Sequence, residues 1–251
     1  MDLHRIRDET WIREIDFHWE IDSTNTYALG LAEAPDAVLP LLVLAHRQQQ
    51  GRGRGTNRWL SGEGALTFSV IIDTQDLEES RIPQVSLTTG LAICQAIERM
   101  SPQADLGLKW PNDVYLNDQK VAGILIEMPS TRPPRCIIGV GLNVNNQIHP
   151  DVKIPATSMH QIIGKTFDLT DVLIQCLDQL EQGLVSLRRE SSKMVKLWRE
   201  YDFLRGRRVQ VDTYGETFIG TARGIDDFGA LILETDNGLT TCIGGVVTQL
   251  P

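Results

Sequence analysis

The strongest constraint on the fold is a change of hydrophobic periodicity at Leu204. Before it, apolar runs of strand length alternate with helical patterns; after it, residues 207–251 carry no helical period. The tail predicts strands at 209–213, 217–225, 230–234, 239–242 and 246–250. Turn signals separate them: Tyr214-Gly215, Asp227-Phe228-Gly229 and Asp236-Asn237-Gly238. Short strands at this spacing predict a small β-barrel of about 45 residues. Such a barrel is marginal alone, so it is expected to lean on the larger body. The expected division is 1–203 and 204–251.

The body reads as a strand at 13–21, then a helix at 25–34 that Ser23 or Thr24 can cap and that Pro35-Asp36 breaks. Residues 38–46 predict a buried strand and 65–73 another. Residues 82–100 have a helical period. Strands follow at 106–110, 114–116, 120–127 and 136–145, with a tight turn at Asn117-Asp118. Residues 169–198 predict a helix, interrupted at Gly183 or at Ser191-Ser192.

Charge narrows the partners. With 24 Lys+Arg against 33 Asp+Glu, the net charge of −9 lacks the basic footprint of a nucleic-acid coat, so no DNA partner is expected. The longest apolar run, 37–45, contains Pro40 and is far short of the roughly 20 residues of a membrane span. The first twenty residues are charged throughout, which opposes a secretory signal. Cys94, Cys136, Cys176 and Cys242 form no CxxC pair and read as reduced thiols of a cytoplasmic protein. The five histidines show no ligand spacing, so no structural metal is expected.

Four segments have the residue types of a working site. Gln48 to Trp59 holds three glycines in five residues and three arginines in seven, so it cannot be regular structure. Glycines let a backbone approach a ligand, and arginines offer forked donors to phosphate or carboxylate. The same composition suits a solvated basic turn or an RNA-binding segment. It is not a Walker loop, because GxxxxGK[ST] is absent. Lys109-Trp110-Pro111-Asn112-Asp113 puts polar groups at a strand end, and Lys120 follows beside Val121, Ala122 and Ile124. An ammonium among apolar neighbours needs an anionic partner, or must snorkel to water. Gly139-Val140-Gly141-Leu142-Asn143 places glycines inside a strand, the mark of close backbone approach. Asp22-Ser23-Thr24-Asn25 opens a helix and is either a cap or a ligand cluster.

In this order, these segments resemble the motifs of biotin protein ligases (the biotin–carboxylase ligase and holocarboxylase synthetase family). The resemblance is strong over 15–190 and weaker over the tail. It implies an α+β fold, a mixed β-sheet flanked by helices as in class II synthetases, followed by an SH3-like barrel. It implies a two-step reaction: biotin and ATP, with Mg²⁺, give biotinyl-5′-AMP and pyrophosphate, and a lysine of a biotin carboxyl carrier protein or carboxylase acceptor domain then takes the biotinyl group. By motif position, Ser23, Thr24, Asn25 and Gln48 would hold the biotin ureido end. Arg52, Gly53 and Arg54 would cover the carboxyl and phosphate, and Lys120 would bind their junction. Trp59 and Asn143 would flank adenine. Lys109 and Asp113 would line the reacting centre, Asp113 assisting deprotonation of the acceptor lysine.

Two departures qualify the resemblance. Gly55-Thr56-Asn57-Arg58 replaces a further Arg-Gly-Arg common in bacterial members, so contacts at 55–58 are not carried over. Only about a dozen residues precede the first strand, too few for the DNA-binding domain of bifunctional members; a monofunctional enzyme, monomer or homodimer, is expected. The alternatives are a lipoate or octanoate transferase of the same superfamily, or a biotin-responsive nucleic-acid-binding regulator.

Overall fold

The computed structural model describes residues 1–152, 154–189, 191–213 and 215–250. Tyr214 of the first expected tail turn, and Pro251, lie outside them. Strands β1 (Glu14–Ile21), β2 (Leu41–Gln48), β3 (Leu66–Asp73), β4 (Leu106–Lys109), β5 (Asp113–Leu116), β6 (Gln119–Glu127) and β7 (Arg135–Leu142) form one mixed sheet. Its order is β1-β2-β3-β7-β6-β5-β4, with β1 parallel to β2 and every other pair antiparallel. The strand expected from Val38 begins only at Leu41, because Pro40 cannot donate to a ladder; its carbonyl instead accepts from the Arg13 and Glu14 amides. Asn117 and Asp118 form the tight turn between β5 and β6, both with positive φ (49° and 58°).

The two sheet faces carry different side chains. One presents Leu42, Leu44, Phe68, Val70, Ile138, Val140 and Ile124 to the main core, shared with helices α3 (Gln84–Met100) and α5 (Leu169–Arg189). The opposite face has a small second cluster, where Leu41, Val43, Ile71 and Ile137 meet Ala28 and Ala32 of α2 (Thr24–Ala32). Both ends of α2 are tied down. The Ser23 side chain accepts from the Thr26 amide, and buried Arg135 donates to the Ala32 and Ala34 carbonyls at 2.7 and 2.6 Å, a cation on the helix C-terminus.

Within the long helical pattern the described residues form α5 up to Arg189 and α6 (Ser191–Glu200), with Ser191 and Ser192 inside α6; the join at 190 lies outside the described residues, and Gly183 does not interrupt the helix. Gly183 lies inside α5, where a Cβ would stand 2.7 Å from Thr88 Cγ2 of α3. Two helices were not legible from periodicity. The first, α1 (Leu3–Glu9), has one fully buried residue, Ile6. The other, α4 (Met159–Ile163), is marked by a capping box at Ser158/Gln161 and a left-handed Gly164.

The tail forms β8 (Arg208–Asp212), β9 (Thr217–Ile225), β10 (Leu231–Thr235), β11 (Gly238–Cys242) and β12 (Val246–Gln249). They pair antiparallel in the order β11-β10-β9-β8-β12, an SH3-like sheet in which no β11–β12 pairing closes a ring among the described residues. It does lean on the body: Val209, Val211, Leu231 and Leu233 join the main core, and Trp110 Nε1 donates to the Gly229 carbonyl at 2.9 Å. The chain reaches it across the β4 edge, where Leu108 exchanges hydrogen bonds with Tyr201 and Phe203. Phe203 then stacks on Tyr115, and Arg207 lies over Phe203 while pairing with Asp118 at 3.1 Å. All four cysteines are buried and unpaired; burial pushes the Cys136 and Cys176 thiols up to about 12. No helix among the described residues is long and apolar enough to cross a membrane.

Candidate active site

Sheet register turns the scattered segments into rows on the face that carries α2. The pairings Ala45–Thr67, Thr67–Gly141, Gly141–Gly123, Gly123–Asp113 and Asp113–Lys109 place six residues in one row. The next row is Val43, Ser69, Gly139 and Leu125, and the third is Leu41, Ile71, Ile137 and Glu127. Paired residues on neighbouring strands share a face, and alternate residues along a strand repeat it. Ala45, Thr67, Gly141 and Gly123 of the first row, with Ser69 and Gly139 of the second, therefore make a floor of small side chains beside the charged end at Asp113 and Lys109.

A β-bulge puts Lys120 there as well. Simple alternation would point Lys120 to the core with Ala122 and Ile124. The register shifts between Val114 and Tyr115, so Lys120 pairs with Tyr115 and shares its face with Asp113. Lys120 Nζ then stands 2.5 Å from Asp113 Oδ1, both side chains about one-fifth exposed. The free edge of this residue is held by a strap: Lys120 N donates to the Pro155 carbonyl and Thr157 N to the Lys120 carbonyl, each at 2.9 Å. Asn143, buried, donates to the Thr157 carbonyl at 3.0 Å and accepts from Asn146, so it braces that strap. Lys109 is half-buried, its Nζ 5.8 Å from the Tyr115 ring centre. Burial lowers its pKa; Asp113 opposes the shift and Lys120 adds to it.

The second row carries a self-satisfied polar cluster. Gln48 Oε1 accepts from the Thr24 amide (2.8 Å) and hydroxyl (3.1 Å). Ser69 Oγ lies 2.8 Å from Thr24 Oγ1 and 2.7 Å from Asn25 Oδ1. Asn25 lies over Gly139, where a Cβ would fall 2.0 Å from its Oδ1.

Gln48 still belongs to β2, against expectation; beyond it the glycine–arginine segment makes no named strand but folds as a small hairpin with an Arg52–Arg58 bridge and Gly53 N donating to the Asn57 carbonyl. Its two inner arginines diverge. Arg52 grips Glu127 at 2.8 Å, beyond the polar cluster. Arg54 donates to Asn112 Oδ1 (3.4 Å) and to the carbonyl of Gly245 (3.2 Å), in the loop between β11 and β12. The Trp59 ring rests on the first-row glycines: a Cβ on Gly141 would stand 2.2 Å from Trp59 Cε2, and one on Gly123 3.5 Å from Cζ3. Its buried indole N–H has no acceptor among the described residues. An unmade buried hydrogen bond costs about 1–3 kcal/mol, so the position suits a ligand that brings an acceptor.

Most candidate residues thus share one face. Lys109, Asp113, Lys120 and Trp59 gather on the first row, and Thr24, Asn25 and Gln48 on the second. Ser23 acts as the helix cap, Gly53 shapes the hairpin, and Arg52 and Arg54 hold its two sides. Sequence reasoning missed Ser69 and Glu127, and it noted Asn112 only as part of the polar strand-end segment, without a role. The only sequence signal for Glu127 was its place in phase with Gly123 and Leu125 on β6.

The profile of the Biotin/lipoate A/B protein ligase family matches residues 19–145, just over half of the chain and the whole stretch from Ser23 to Asn143. The chain belongs to the biotin/lipoate A/B protein ligase family. The Biotin protein ligase C terminal domain profile matches residues 205–248 of this ligase-family chain. Among its relatives is the bifunctional ligase/repressor BirA of Bacillus subtilis, 35% identical over 93% of this chain and 73% of the relative. The biotin–[acetyl-CoA-carboxylase] ligase of Mycobacterium tuberculosis is 31% identical over 95% of this chain and 90% of its own length. A biotin protein ligase from Aquifex aeolicus, solved with biotin and ATP, superposes with a TM-score of 0.84 at 29% identity, covering 95% of this chain and 99% of that one.

Proposed function

We propose that the chain is an ATP-dependent ligase that activates biotin as biotinyl-5′-AMP and passes the biotinyl group to a lysine of a biotin carboxyl carrier protein or carboxylase acceptor domain. The observation that carries this reading is the bulge that turns Lys120 onto the Asp113 face, beside a small-residue floor and a preformed polar cluster. In the first step a biotin carboxylate oxygen attacks the α-phosphorus of ATP and pyrophosphate leaves. Two anions must meet, and preorganised cations lower that barrier. Lys120 and Lys109 stand on the reacting row, and Arg54 lies beside Asn112 at its end. Thr24, Asn25 and Gln48 would hold the ureido ring, while Trp59 and the strap braced by Asn143 would flank adenine.

Magnesium enters this scheme on the nucleotide. No cluster of three or more His, Cys, Asp or Glu suits a metal among the described residues, and Mg²⁺ is commonly held largely by substrate phosphates. In the second step the acceptor lysine amine attacks the acyl carbon, AMP leaves and an amide forms. The amine must first lose a proton, and Asp113 is the carboxylate on the row that can take it.

Arg54 joins the glycine–arginine loop to the β11–β12 loop, so Arg54→Ala should release the adenylate about tenfold faster with little change in thermal midpoint. Rapid-filtration release of labelled adenylate reads this out. Lys109, its pKa lowered by burial, should lose its charge at lower pH than an ordinary lysine. The alkaline limb of the adenylation rate should therefore move to higher pH in Lys109→Arg, which keeps its charge; an unmoved limb would contradict the role.

The proposed assignment extends to a cytoplasmic location, to work as a monomer or homodimer without a DNA partner, and to a division at 203/204. Support for the division comes from the separate tail sheet. Mixing the chain with MgATP, labelled biotin and an acceptor domain tests the function. Label covalently on the acceptor lysine is expected; ATP-dependent transfer of lipoate or octanoate, but not biotin, would overturn it.

A further inference from the structure

Glu127 closes β6 in an otherwise apolar row, and its side chain is 20% exposed. Its carboxylate holds two elements at once. Oε1 accepts from Arg52 Nη2 at 2.8 Å, and Oε2 accepts from Arg52 Nη1 at 3.2 Å and from Asn25 Nδ2 at 2.8 Å. Arg52 Nη1 also reaches Thr26 Oγ1 of α2 at 3.3 Å. One acidic side chain therefore ties β6 to the first turn of α2 and to the stem of the glycine–arginine hairpin.

Two consequences follow from the chemistry. A carboxylate can only accept, so Asn25 must present its amide nitrogen to Glu127 and its oxygen to Ser69. The polarity of the amide that faces the polar cluster is thereby fixed. Glu127 also neutralises Arg52 far from the reacting row, for it lies four positions along β6 from Gly123, about 13 Å of strand.

We infer that Glu127 is a positioning residue: it sets the orientation of Asn25 and anchors Arg52, so that Arg52 serves biotin binding rather than charge stabilisation during phosphoryl attack. This rests on the proposed biotin reading of the site. Its mark is a change confined to one substrate.

The test is pyrophosphate release measured over biotin and ATP concentrations for wild type, Glu127→Gln, Arg52→Gln and the double variant. In Glu127→Gln the KM for biotin should rise about tenfold or more, because a charge-assisted fork is lost and the amide polarity is released. The kcat and the KM for ATP should stay within about threefold. The double variant should be no worse than the poorer single one, because both act through one contact. Should Glu127→Gln fold poorly, Arg52→Gln alone must show the same biotin-only signature. Additive losses, or a fall in kcat in Arg52→Gln, would overturn the inference. A wild-type chain that releases no pyrophosphate with biotin would instead overturn the reading beneath it.

Discussion

Lys120→Ala should lower the rate of biotin-dependent pyrophosphate release by about 10²–10³, the usual loss when one preorganised stabilising group is removed from a reacting centre. The fold should survive. The backbone of Lys120 is held on its free edge by the 155–157 strap, and the substitution leaves those hydrogen bonds intact. Asp113 would lose its partner in a site only about one-fifth exposed, so a modest fall in thermal midpoint is expected as well. Stopped assays of pyrophosphate, with a thermal melt alongside, separate the two effects. A variant that adenylates biotin within about threefold of wild type would remove Lys120 from the mechanism.

Gly139→Ala should be nearly as damaging, by a different route. The new methyl would overlap Asn25, at 2.0 Å from Oδ1 and 2.7 Å from Cγ. Asn25 cannot yield cheaply, being buried and bonded to Ser69, the Leu125 carbonyl and Glu127. Expelling it leaves buried partners unsatisfied, which costs about 1–3 kcal/mol each. The affinity for biotin should fall by about 10²-fold or more, since a site built on hydrogen bonds discriminates steeply when one is lost. Adding Asn25→Ala clears the space, so the double variant should melt higher than Gly139→Ala while remaining unable to hold biotin. Calorimetric titration with biotin reads the binding, and recovery of affinity in the double variant would contradict the account of Asn25.

How far the sequence disclosed this site follows from the range of the interactions. Local chemistry was readable: the Ser23 cap, the irregular Gly51–Gly55 segment, the Asn117-Asp118 turn and the strain of a lysine beside Val121 and Ala122. What resolves that lysine was not readable, because a bulge is a property of the β5–β6 pair and alternation along β6 alone points Lys120 the wrong way. The glycines of β7 signalled close approach, yet only the register shows that Gly139 meets Asn25 and Gly141 meets Trp59. Glu127 was missed, and Asn112 was left without a role, for the same reason. Each is an ordinary polar residue at a strand end until a loop more than fifty residues earlier folds onto it. The divergence of Arg52 and Arg54 depends on Glu127 and on Gly245, contacts across 75 and 191 residues. Short α1 and α4 escaped because each has too few buried residues to show a period.

The most direct measurement of the central claim omits the acceptor. The chain is incubated with biotin and MgATP, separated from free ligand, and the retained small molecule identified by mass spectrometry. The account predicts biotinyl-5′-AMP bound to the chain, with pyrophosphate released in equal amount and neither product formed by Lys120→Ala at a comparable rate. No retained adenylate, or an adenylate formed from lipoate or octanoate but not from biotin, would contradict it.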